Sequence, residues 1–316
     1  MRAPLVSVIV TNYNYAAYIR EALDSVANQT YENLELIIIN DGSTDDSDKI
    51  VKDWIRGNSQ FAVKTRYVLQ KNHGIVFARN KGLELANGEY LIFLDADDYF
   101  ENGYIKNFVE FAIKNDADAV YGDPHMFSDD GKIDKKTIFP DFSIETLKAV
   151  NIMNISSLIK TEVAKKTKFD TYLNRRFLED WDFFLGLALV GAKIVHLKKN
   201  YLHYRIKPDS RNITEIAEYK KVYNYIVSKY TKRFPKKFED IKENWERERE
   251  LSLQDARVYH ANLNATITYQ NEQLNKKNEI IGERDRRIAE ILNSRSYKLS
   301  RILASPIRRI KGIFKK

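Results

Sequence analysis

Short apolar runs alternate with segments of helical periodicity over the first 120 residues, and this alternation limits the possible fold more than any other feature. The apolar runs lie at residues 5–10, 34–39, 67–69 and 90–94, and the helical segments between them lie at 18–27, 47–55 and 74–86. Alternating strands and helices predict a parallel sheet that is covered by helices on both faces. We therefore expect an α/β fold with a mostly parallel central sheet.

Polar side chains follow three of these apolar runs directly. Ligands of open α/β sheets bind at the carboxyl ends of the strands, so these side chains should lie along one ligand-binding edge. The residues are Thr11, Asn12, Tyr13 and Asn14, then Asn40, Asp41, Gly42 and Ser43, and then Asp95, Asp97 and Asp98.

The chain has the length and composition of a globular protein. Its 316 residues are 43% apolar and include no cysteine, which excludes disulfides, thiolate metal sites and a cysteine nucleophile. The apolar run at 5–10 is too short for a signal-peptide core, and the run at 183–192 is about half a membrane span. We therefore expect a cytoplasmic protein with one large domain over residues 1–235.

From about residue 121 to 235 the alternation becomes irregular. A short strand is expected to end at 121–123, residues 129–132 have the composition of a hairpin turn, and residues 183–190 are expected to form an apolar helix. We interpret this part as the second half of the same domain.

The composition changes again beyond residue 235. In residues 236–293 aliphatic side chains recur every seven positions, at Ile267, Leu274, Ile281 and Ile288, but mostly polar residues fill the partner positions of that heptad. This is half of a coiled-coil seam. The segment is either a helix that makes a homo-oligomer through 237–293, or a solvated helix or linker.

The net charge of +8 belongs to the end of the chain. Residues 294–316 carry eight basic side chains and no acidic one, and the other 293 residues hold 44 basic and 44 acidic side chains. Aliphatic residues recur at helical spacing in this tail, which predicts a basic amphipathic helix that binds an anionic membrane surface. The alternatives are a helix docked on the protein itself and a nucleic-acid-binding tail, but the neutral domain argues against a nucleic-acid partner.

Glycine loops for phosphate binding are absent from the sequence. No Gly-x-Gly-x-x-Gly follows the first strand and no Walker loop occurs, which argues against a dinucleotide oxidoreductase and a P-loop phosphotransferase. Instead, Asp95, Asp97 and Asp98 bring carboxylates to one strand end, where Mg²⁺ or Mn²⁺ would offset their repulsion. A turn or a helix cap is the alternative for these residues.

A second acidic group, formed by Glu179, Asp180 and Asp182, surrounds Trp181 before the predicted apolar helix. Acidic side chains are favoured at helix N-termini, so this group could cap the helix. A carboxylate in a cleft that holds a cation could instead take a proton from a hydroxyl group as a general base. Trp181 could pack against the helix or give a bound ligand a stacking face.

Five ordered motifs resemble those of family 2 glycosyltransferases with the Rossmann-like GT-A fold. They are PLVSVIVTNYN at 4–14, NDGSTD at 40–45, NHG at 72–74, ARNKG at 78–82 and FLDADD at 93–98. A weaker continuation, EDWD at 179–182 and YR at 204–205, extends the resemblance to about residue 210. The resemblance implies an inverting transferase with a nucleotide-sugar half over about 1–120 and an acceptor half over about 121–235.

The resemblance also implies roles for individual residues in the nucleotide-sugar half. Thr11 and Tyr13 would line the nucleotide pocket, and Asp41 would hold the base or the ribose. Arg79 would lie near the nucleotide, and Asp95 would sit by the ribose. A UDP-sugar is the default donor of the family.

The metal and the base are implied in the same way. Asp97 would bind Mn²⁺ or Mg²⁺ on the diphosphate, and Asp180 would be the catalytic base that deprotonates the acceptor hydroxyl. Asn72, Asp98 and Glu179 belong to the same motifs and are further candidates for the site.

The chain departs from the family pattern at one position. Relatives often carry a histidine two residues after the Tyr-Arg pair, and this chain has Lys207 there. Lysine can balance phosphate charge, but it cannot ligate a metal while protonated. His203 is either a substitute or a structural residue. The other histidines, which are His73, His125, His196 and His260, are scattered in the sequence and predict no metal cluster.

The leading hypothesis is a metal-dependent glycosyltransferase on the inner face of a bacterial membrane. It would use a nucleotide-diphosphate sugar to extend a surface polysaccharide on a glycan or lipid-linked acceptor, since similar basic tails occur in bacterial transferases of surface-polysaccharide assembly. The alternative hypothesis is a non-catalytic scaffold with the same fold that organises membrane-surface partners through the helical extension.

Overall fold

The computed structural model describes residues 3–58, 61, 64–207, 216–231, 233–234, 282–284, 286–287 and 290. The chain divides into two units, Met1–Trp245 and Glu246–Lys316. In the second unit, the described residues 282–284, 286–287 and 290 are helical. The predicted heptad positions and the basic tail at 294–316 lie outside the described residues, and the predicted domain boundary after residue 235 stays a prediction.

Nine strands within the described part of the chain form one sheet in the first unit. The strands are β1 (Val6–Asn12), β2 (Leu34–Asn40), β3 (Thr65–Leu69), β4 (Tyr90–Asp95), β5 (Tyr99–Phe100), β6 (Ala119–Phe127), β7 (Asp134–Lys136), β8 (Leu158–Lys160) and β9 (Ile194–Arg205). Their order across the sheet is β3-β2-β1-β4-β8-β6-β9-β5, and β7 pairs with β6.

Strand direction separates the two halves of this sheet. Strands β1 to β4 pair in parallel, in the region where apolar runs and helical segments alternate in the sequence. Strand β8 is antiparallel to both β4 and β6, whereas β6 and β9 are parallel and β5 is antiparallel to β9. The predicted parallel sheet is confirmed for the first half, and the irregular second half is a mixed sheet.

Helices cover both faces of the sheet. They are α1 (Ile19–Ala27), α2 (Ser47–Gly57), α3 (Ile75–Leu85), α4 (Tyr104–Asn115), α5 (Ile144–Ala149), α6 (Thr161–Ala164), α7 (Glu179–Leu189) and α8 (Ile216–Thr231), and a 3₁₀ turn spans Thr171–Leu173. The first three are the helices predicted from the periodicity of the sequence.

The position of β1 between two cores explains why Val8, Ile9 and Val10 are apolar in succession. Ile9 lies in a core with residues of α3, α7 and α8, whereas Val8 and Val10 lie in a second core with residues of α1, α2 and α4. Successive side chains of a strand point to opposite faces, so a strand covered on both faces has no polar side.

Three expectations for the second half can be compared with the structure. The hairpin turn at 129–132 is confirmed, because it joins the antiparallel strands β6 and β7. The short strand expected to end at 121–123 continues to Phe127. The apolar helix begins at Glu179, so the acidic group lies in its first turn and not before it.

Among the described residues, none of the helices combines the length and the apolar character that a bilayer span requires.

Candidate active site

A cavity of about 510 Å³ opens at the carboxyl ends of β1 and β2. Its lining consists of Thr11, Asn12, Tyr13, Tyr15, Asp41, Asn72, Gly74, Ile75, Ala78 and Arg175. The structure therefore brings three of the predicted nucleotide-site residues, Thr11, Tyr13 and Asp41, to one cavity together with the further candidate Asn72. This is the edge of the sheet where the sequence places the polar strand ends.

Asp41 shapes one wall of this cavity through the loop between β3 and α3. Its Oδ1 accepts hydrogen bonds from Gln70 Nε2 at 2.7 Å and from the His73 amide at 3.0 Å, and its Oδ2 accepts one from the Gly74 amide at 2.7 Å. Gly74 has φ +96°, and a Cβ there would lie 2.3 Å from Asn174 Oδ1, so glycine is required. Asp41 thus holds the loop in place.

Arg79 connects the cavity to the second acidic group. Its Nη2 donates to both carboxylate oxygens of Asp95 at 3.0 Å, and its Nη1 donates to Glu179 Oε1 at 3.1 Å. Thr11 Oγ1 donates to Asp95 Oδ1 at 3.2 Å. The Arg79 side chain is only 4% exposed. Burial opposes its charge, but Asp95 and Glu179 raise its pKa above the ordinary arginine value.

Asp180, the predicted base, is oriented by two hydrogen bonds. Its Oδ1 accepts from the Trp181 amide at 2.8 Å, and its Oδ2 accepts from Asn151 Nδ2 at 2.9 Å. Burial and the neighbouring Glu179 raise the pKa of Asp180 to about 6, while Arg79 opposes this shift. The carboxyl group is therefore largely ionised at neutral pH and is a stronger base than an ordinary aspartate.

The other residues of the first turn of α7 have structural contacts. The Trp181 ring is buried, its Nε1 donates to the Leu147 carbonyl at 2.6 Å, and it stacks on Tyr223 with ring centroids 5.4 Å apart. Asp182 accepts from Lys229 Nζ at 2.8 Å. Of the two interpretations of Trp181, the structure agrees with helix packing.

Asp97 lies against a lysine. Lys207 Nζ is 2.7 Å from Asp97 Oδ2 and 3.9 Å from the centroid of the Tyr15 ring. Burial opposes the charge of Lys207, but Asp97 raises the pKa of Lys207, so this side chain is an ammonium at neutral pH. Carboxylate oxygens are ligands that a hard divalent ion such as Mn²⁺ or Mg²⁺ prefers, and an ion bound at Asp97 would compete with Lys207 for Oδ2.

Asp98 and Arg205 join the acidic edge to β9. Asp98 Oδ1 accepts from the Arg205 amide at 2.9 Å, and Arg205 Nε donates to the Asp97 carbonyl at 2.9 Å. The guanidinium of Arg205 also pairs with Glu21 and Asp129. Burial, followed by the charge of Asp97, raises the pKa of Asp98 well above the ordinary value. These contacts set the position of Asp97.

The sequence predicts no metal cluster for the scattered histidines, but the structure places His125 beside His203. His125 is the register partner of His203 in the parallel β6 and β9 pair, and their ring centroids are 4.7 Å apart. His203 Nε2 also lies 3.2 Å from Glu101 Oε1, and burial lowers the pKa of His203. The sequence did not indicate this contact, because β6 and β9 are far apart in the chain but adjacent in the sheet. His260 lies outside the described residues.

The sequence analysis did not name Tyr15 and Arg175 as candidates, and it named Asn12 only as a residue of the ligand-binding edge. Asn12 lies in the first motif and Tyr15 directly follows it. Their positions in the sequence could have indicated that they line the cavity. Arg175 Nη2 donates to Asn72 Oδ1 at 2.7 Å after a turn in which Arg175 itself has φ +60°. Nothing in its local sequence indicates this position.

Two solved structures are among those with a similar fold. Staphylococcus aureus TarS 1–349 in complex with UDP-GlcNAc has a TM-score of 0.58 and 21% sequence identity, and the match covers 71% of this chain and 66% of that one. Mannosyltransferase PcManGT from Pyrobaculum calidifontis, in complex with GDP-Man and Mn²⁺, has a TM-score of 0.53 and 20% identity, over 66% and 59% of the two chains. These similarities show the GT-A fold.

Two of the relatives in sequence are longer proteins. The glycosyltransferase GlyA of Streptococcus pneumoniae is 30% identical over 229 residues, which are 65% of this chain and 31% of GlyA. Chondroitin synthase of Pasteurella multocida is 29% identical over 292 residues, which are 91% of this chain and 29% of the synthase. This chain therefore spans about a third of the length of each of these relatives.

The family model described as "Glycosyl transferase family 2" matches residues 7–180, which is more than half of the chain. The matched region contains the cavity-lining residues, Arg79, the acidic strand end and Asp180. The five ordered sequence motifs lie within or beside it. The chain therefore belongs to glycosyl transferase family 2.

Proposed function

We propose that this protein is a metal-dependent, inverting glycosyltransferase. It moves a sugar from a nucleotide-diphosphate donor to a hydroxyl of a glycan or lipid-linked acceptor in bacterial surface-polysaccharide synthesis. Membership of family 2 and the names of the relatives support the reaction class. The observation that carries the proposal is the contact chain from Thr11 through Asp95 and Arg79 to Glu179, because it joins the cavity to the residue before Asp180.

The cavity has the properties of a nucleotide site. Its volume of about 510 Å³ is typical of small-molecule sites, which have roughly 300–1,000 Å³. Asn12 Oδ1 is buried and has no hydrogen-bond partner among the described residues, so a ligand donor could satisfy it. The two similar structures are complexes with UDP-GlcNAc and with GDP-Man. A UDP-sugar is our default donor for this chain.

Asp97 is the residue that would hold Mn²⁺ or Mg²⁺ in this proposal. When bound, such an ion supplies positive charge that stabilises the leaving diphosphate. Lys207 lies at the same carboxylate and provides a second positive charge for the phosphate oxygens. The contact of Arg205 with the Asp97 carbonyl and with Asp98 keeps this edge in position.

Asp180 acts as the general base in the proposed reaction. Its carboxylate takes the proton of the acceptor hydroxyl while the oxygen forms a bond to the anomeric carbon. The bond between that carbon and the phosphate oxygen breaks on the opposite face, so the anomeric configuration inverts. A positioned base contributes about 10²–10⁴-fold to the rate. Asn151 and the Trp181 amide orient the carboxylate for this transfer.

The proposed location is the inner surface of the cell membrane. The eight basic side chains of residues 294–316 support it, together with the aliphatic residues at helical spacing. Each basic residue near an anionic leaflet contributes about 1 kcal/mol, so four of them would contribute ~4 kcal/mol, or about a thousandfold in binding. Contact with such a surface would bring the domain to a lipid-linked acceptor.

A donor screen tests this function. The full chain would be incubated with a panel of nucleotide sugars and Mn²⁺, and release of nucleoside diphosphate would be measured. We expect turnover of one donor, an inverted anomeric configuration by NMR, and a loss of at least about 100-fold in Asp180→Asn. The control is Asp116→Asn, because Asp116 is 94% exposed and lies at the end of α4. No turnover of any donor would favour the scaffold alternative.

A further inference from the structure

Three potential metal ligands from distant parts of the chain meet beside the acidic edge. Glu101, His125 and His203 each offer one ligand atom, and these atoms all lie within 4.8 Å of one another. The pairing of the sheet brings them together, because His203 is opposite His125 in β6 and opposite Tyr99 in β5. Glu101 follows β5 directly. We call these three residues the Glu-His-His cluster.

One pair of the cluster already has the spacing that a tetrahedral ion requires. His203 Nε2 and Glu101 Oε1 are 3.2 Å apart. Zinc binds nitrogen and carboxylate oxygen at about 2.0–2.2 Å, and a tetrahedral angle then places two ligand atoms roughly 3.3 Å apart. The His203 ring is also held in its orientation, since it stacks on Tyr99 with ring centroids 4.2 Å apart.

His125 has the hydrogen-bond arrangement that is typical of a metal ligand. Its Nε2 lies 2.5 Å from Asp134 Oδ1 of β7, and its Nδ1 is buried without a hydrogen-bond partner among the described residues. Metal-binding histidines commonly donate their second ring nitrogen to a carboxylate, which sets the orientation of the ring. Asp134 can play this role for His125.

Solvent access and one competing charge bear on the affinity of the cluster. The His125 and His203 side chains are 15% and 14% exposed, so the cluster can be reached from solvent. Lys136 Nζ lies 3.9 Å from Glu101 Oε1 and 4.5 Å from the centroid of the Tyr201 ring. A bound ion would replace Lys136 as the partner of Glu101, and Lys136 could keep its contact with Tyr201.

We propose that the Glu-His-His cluster is a second metal site, distinct from the one at Asp97, and that it binds Zn²⁺. Two imidazoles and one carboxylate form the donor set that suits zinc, whereas Mg²⁺ and Mn²⁺ prefer oxygen ligands. Water occupies the fourth position of such a site. The cluster and Asp97 therefore select different ions by the chemistry of their ligands.

The position of the cluster indicates what a bound ion would do. Strand β5 directly follows Asp97 and Asp98, and β9 ends at Arg205, which contacts both of these residues. An ion bound by the cluster links β5 to β6 and β9 just before these contacts. Zinc should therefore stabilise the strands that position the acidic edge, and it should do so in the absence of any donor.

Zinc titration of the full chain tests this site. Metal-free protein is titrated with ZnCl₂ by calorimetry and with Co²⁺ by visible absorption, which detects four-coordinate cobalt. Loss of an outer-shell partner already weakens metal binding by about 10–100-fold, so His125→Gln and His203→Gln should each weaken Zn²⁺ binding by more than about 100-fold. Zinc should also raise the melting temperature of the unmodified chain but not of these variants.

Further variants separate this site from other sources of binding. Asp97→Asn and His73→Gln should keep the zinc affinity of the unmodified chain, and Lys136→Met should increase it. If a histidine variant fails to fold by circular dichroism, Glu101→Gln gives the same test because Glu101 is 39% exposed. Absence of zinc binding, its survival in the variants of the cluster, or its loss in Asp97→Asn would overturn the proposal. No donor is present, so the result does not depend on transferase activity.

Discussion

Lys207 Nζ lies 2.7 Å from Asp97 Oδ2, and both side chains are largely buried, at 13% and 16% exposure. A divalent cation at Asp97 would therefore compete with the ammonium of Lys207 for the same carboxylate. The family resemblance implies a histidine at the position of Lys207, so the competition follows from a departure of this chain from the expected pattern. It makes metal affinity depend on a lysine that cannot itself be a ligand while protonated.

Lys207→Met should increase the affinity for Mn²⁺ in the absence of nucleotide. The substitution keeps a long apolar side chain against the Tyr15 ring and removes the competing ammonium. We expect roughly a tenfold gain, equivalent to ~1.4 kcal/mol, measured by calorimetry with the full chain. Lys198→Met is the matched control, because Lys198 is 53% exposed and pairs with Asp141, and it should bind Mn²⁺ like the unmodified chain. An unchanged affinity in Lys207→Met would argue against the competition.

The rate of transfer should depend on the ionisation of Asp180. Burial and Glu179 raise the pKa of Asp180 to about 6, and only the ionised carboxylate can take a proton. We therefore expect kcat/KM to rise tenfold per pH unit below about pH 6 and to level off above it. The measurement is a pH–rate profile with the donor found in the screen. A profile that is flat from about pH 4 to pH 7 would contradict the role of Asp180.

The raised pKa of Asp180 also predicts a stability effect. Its folded pKa of about 6 is above the ordinary 3.8, so the folded state binds more protons in this window and stability falls as the pH rises through it. Asp180→Asn removes the free-energy cost of ionising this buried carboxyl group. Its stability relative to the unmodified chain should increase by on the order of 2 kcal/mol between about pH 4 and pH 7, measured by urea unfolding. Asp116→Asn, the control, should show no such pH-dependent change in stability. The same absence of change in Asp180→Asn would contradict the raised pKa of Asp180.

Arg79→Met should destabilise the domain and abolish donor binding. It would leave the carboxylates of Asp95 and Glu179 without their buried cation. Removal of one partner of a buried ion pair typically costs about 3–5 kcal/mol, which urea unfolding can measure. Arg66→Met, at an exposed position of β3, is the control and should change stability by less than about 0.5 kcal/mol. An equally small change for Arg79→Met would show that the network does not support the site.

Much of the first half could be predicted from the sequence because its signals are local. Residues 36–39 are apolar on both faces, the apolar run spans 34–39, and the structure has β2 at Leu34–Asn40. The strand extends by one residue because Asn40 continues the ladder with β1, where it is opposite Asn12. Polar residues at strand ends also indicated the cavity. These signals require only neighbouring residues and the general properties of parallel sheets.

The remaining features depend on contacts between distant parts of the chain. The pairing of His125 with His203 follows from the parallel register of β6 and β9, and no local pattern specifies that register. The contact of Arg175 with Asn72 depends on a turn between the 3₁₀ element and α7. The sequence shows that Lys207 departs from the family pattern. Its contact with Asp97 could not be predicted, because the contact depends on where β9 ends in the folded chain.

Removal of residues 294–316 should weaken binding to anionic vesicles. The tail carries the whole net charge of +8, and about half of its basic residues at the surface would account for roughly a thousandfold in affinity. Co-sedimentation with vesicles that contain phosphatidylglycerol would measure this, and neutral vesicles are the control. Equal binding of the truncated and full chains would contradict the proposed location.

Calorimetric binding of nucleoside diphosphates tests the donor site most directly. A panel of nucleoside diphosphates would be titrated into the full chain with and without Mn²⁺, and Asp97→Asn would be measured in parallel. We predict that one nucleotide binds in a Mn²⁺-dependent manner and that this dependence is lost in Asp97→Asn. Absence of binding by every nucleotide, or the same Mn²⁺ dependence in Asp97→Asn, would contradict a metal-dependent donor site at this edge of the sheet.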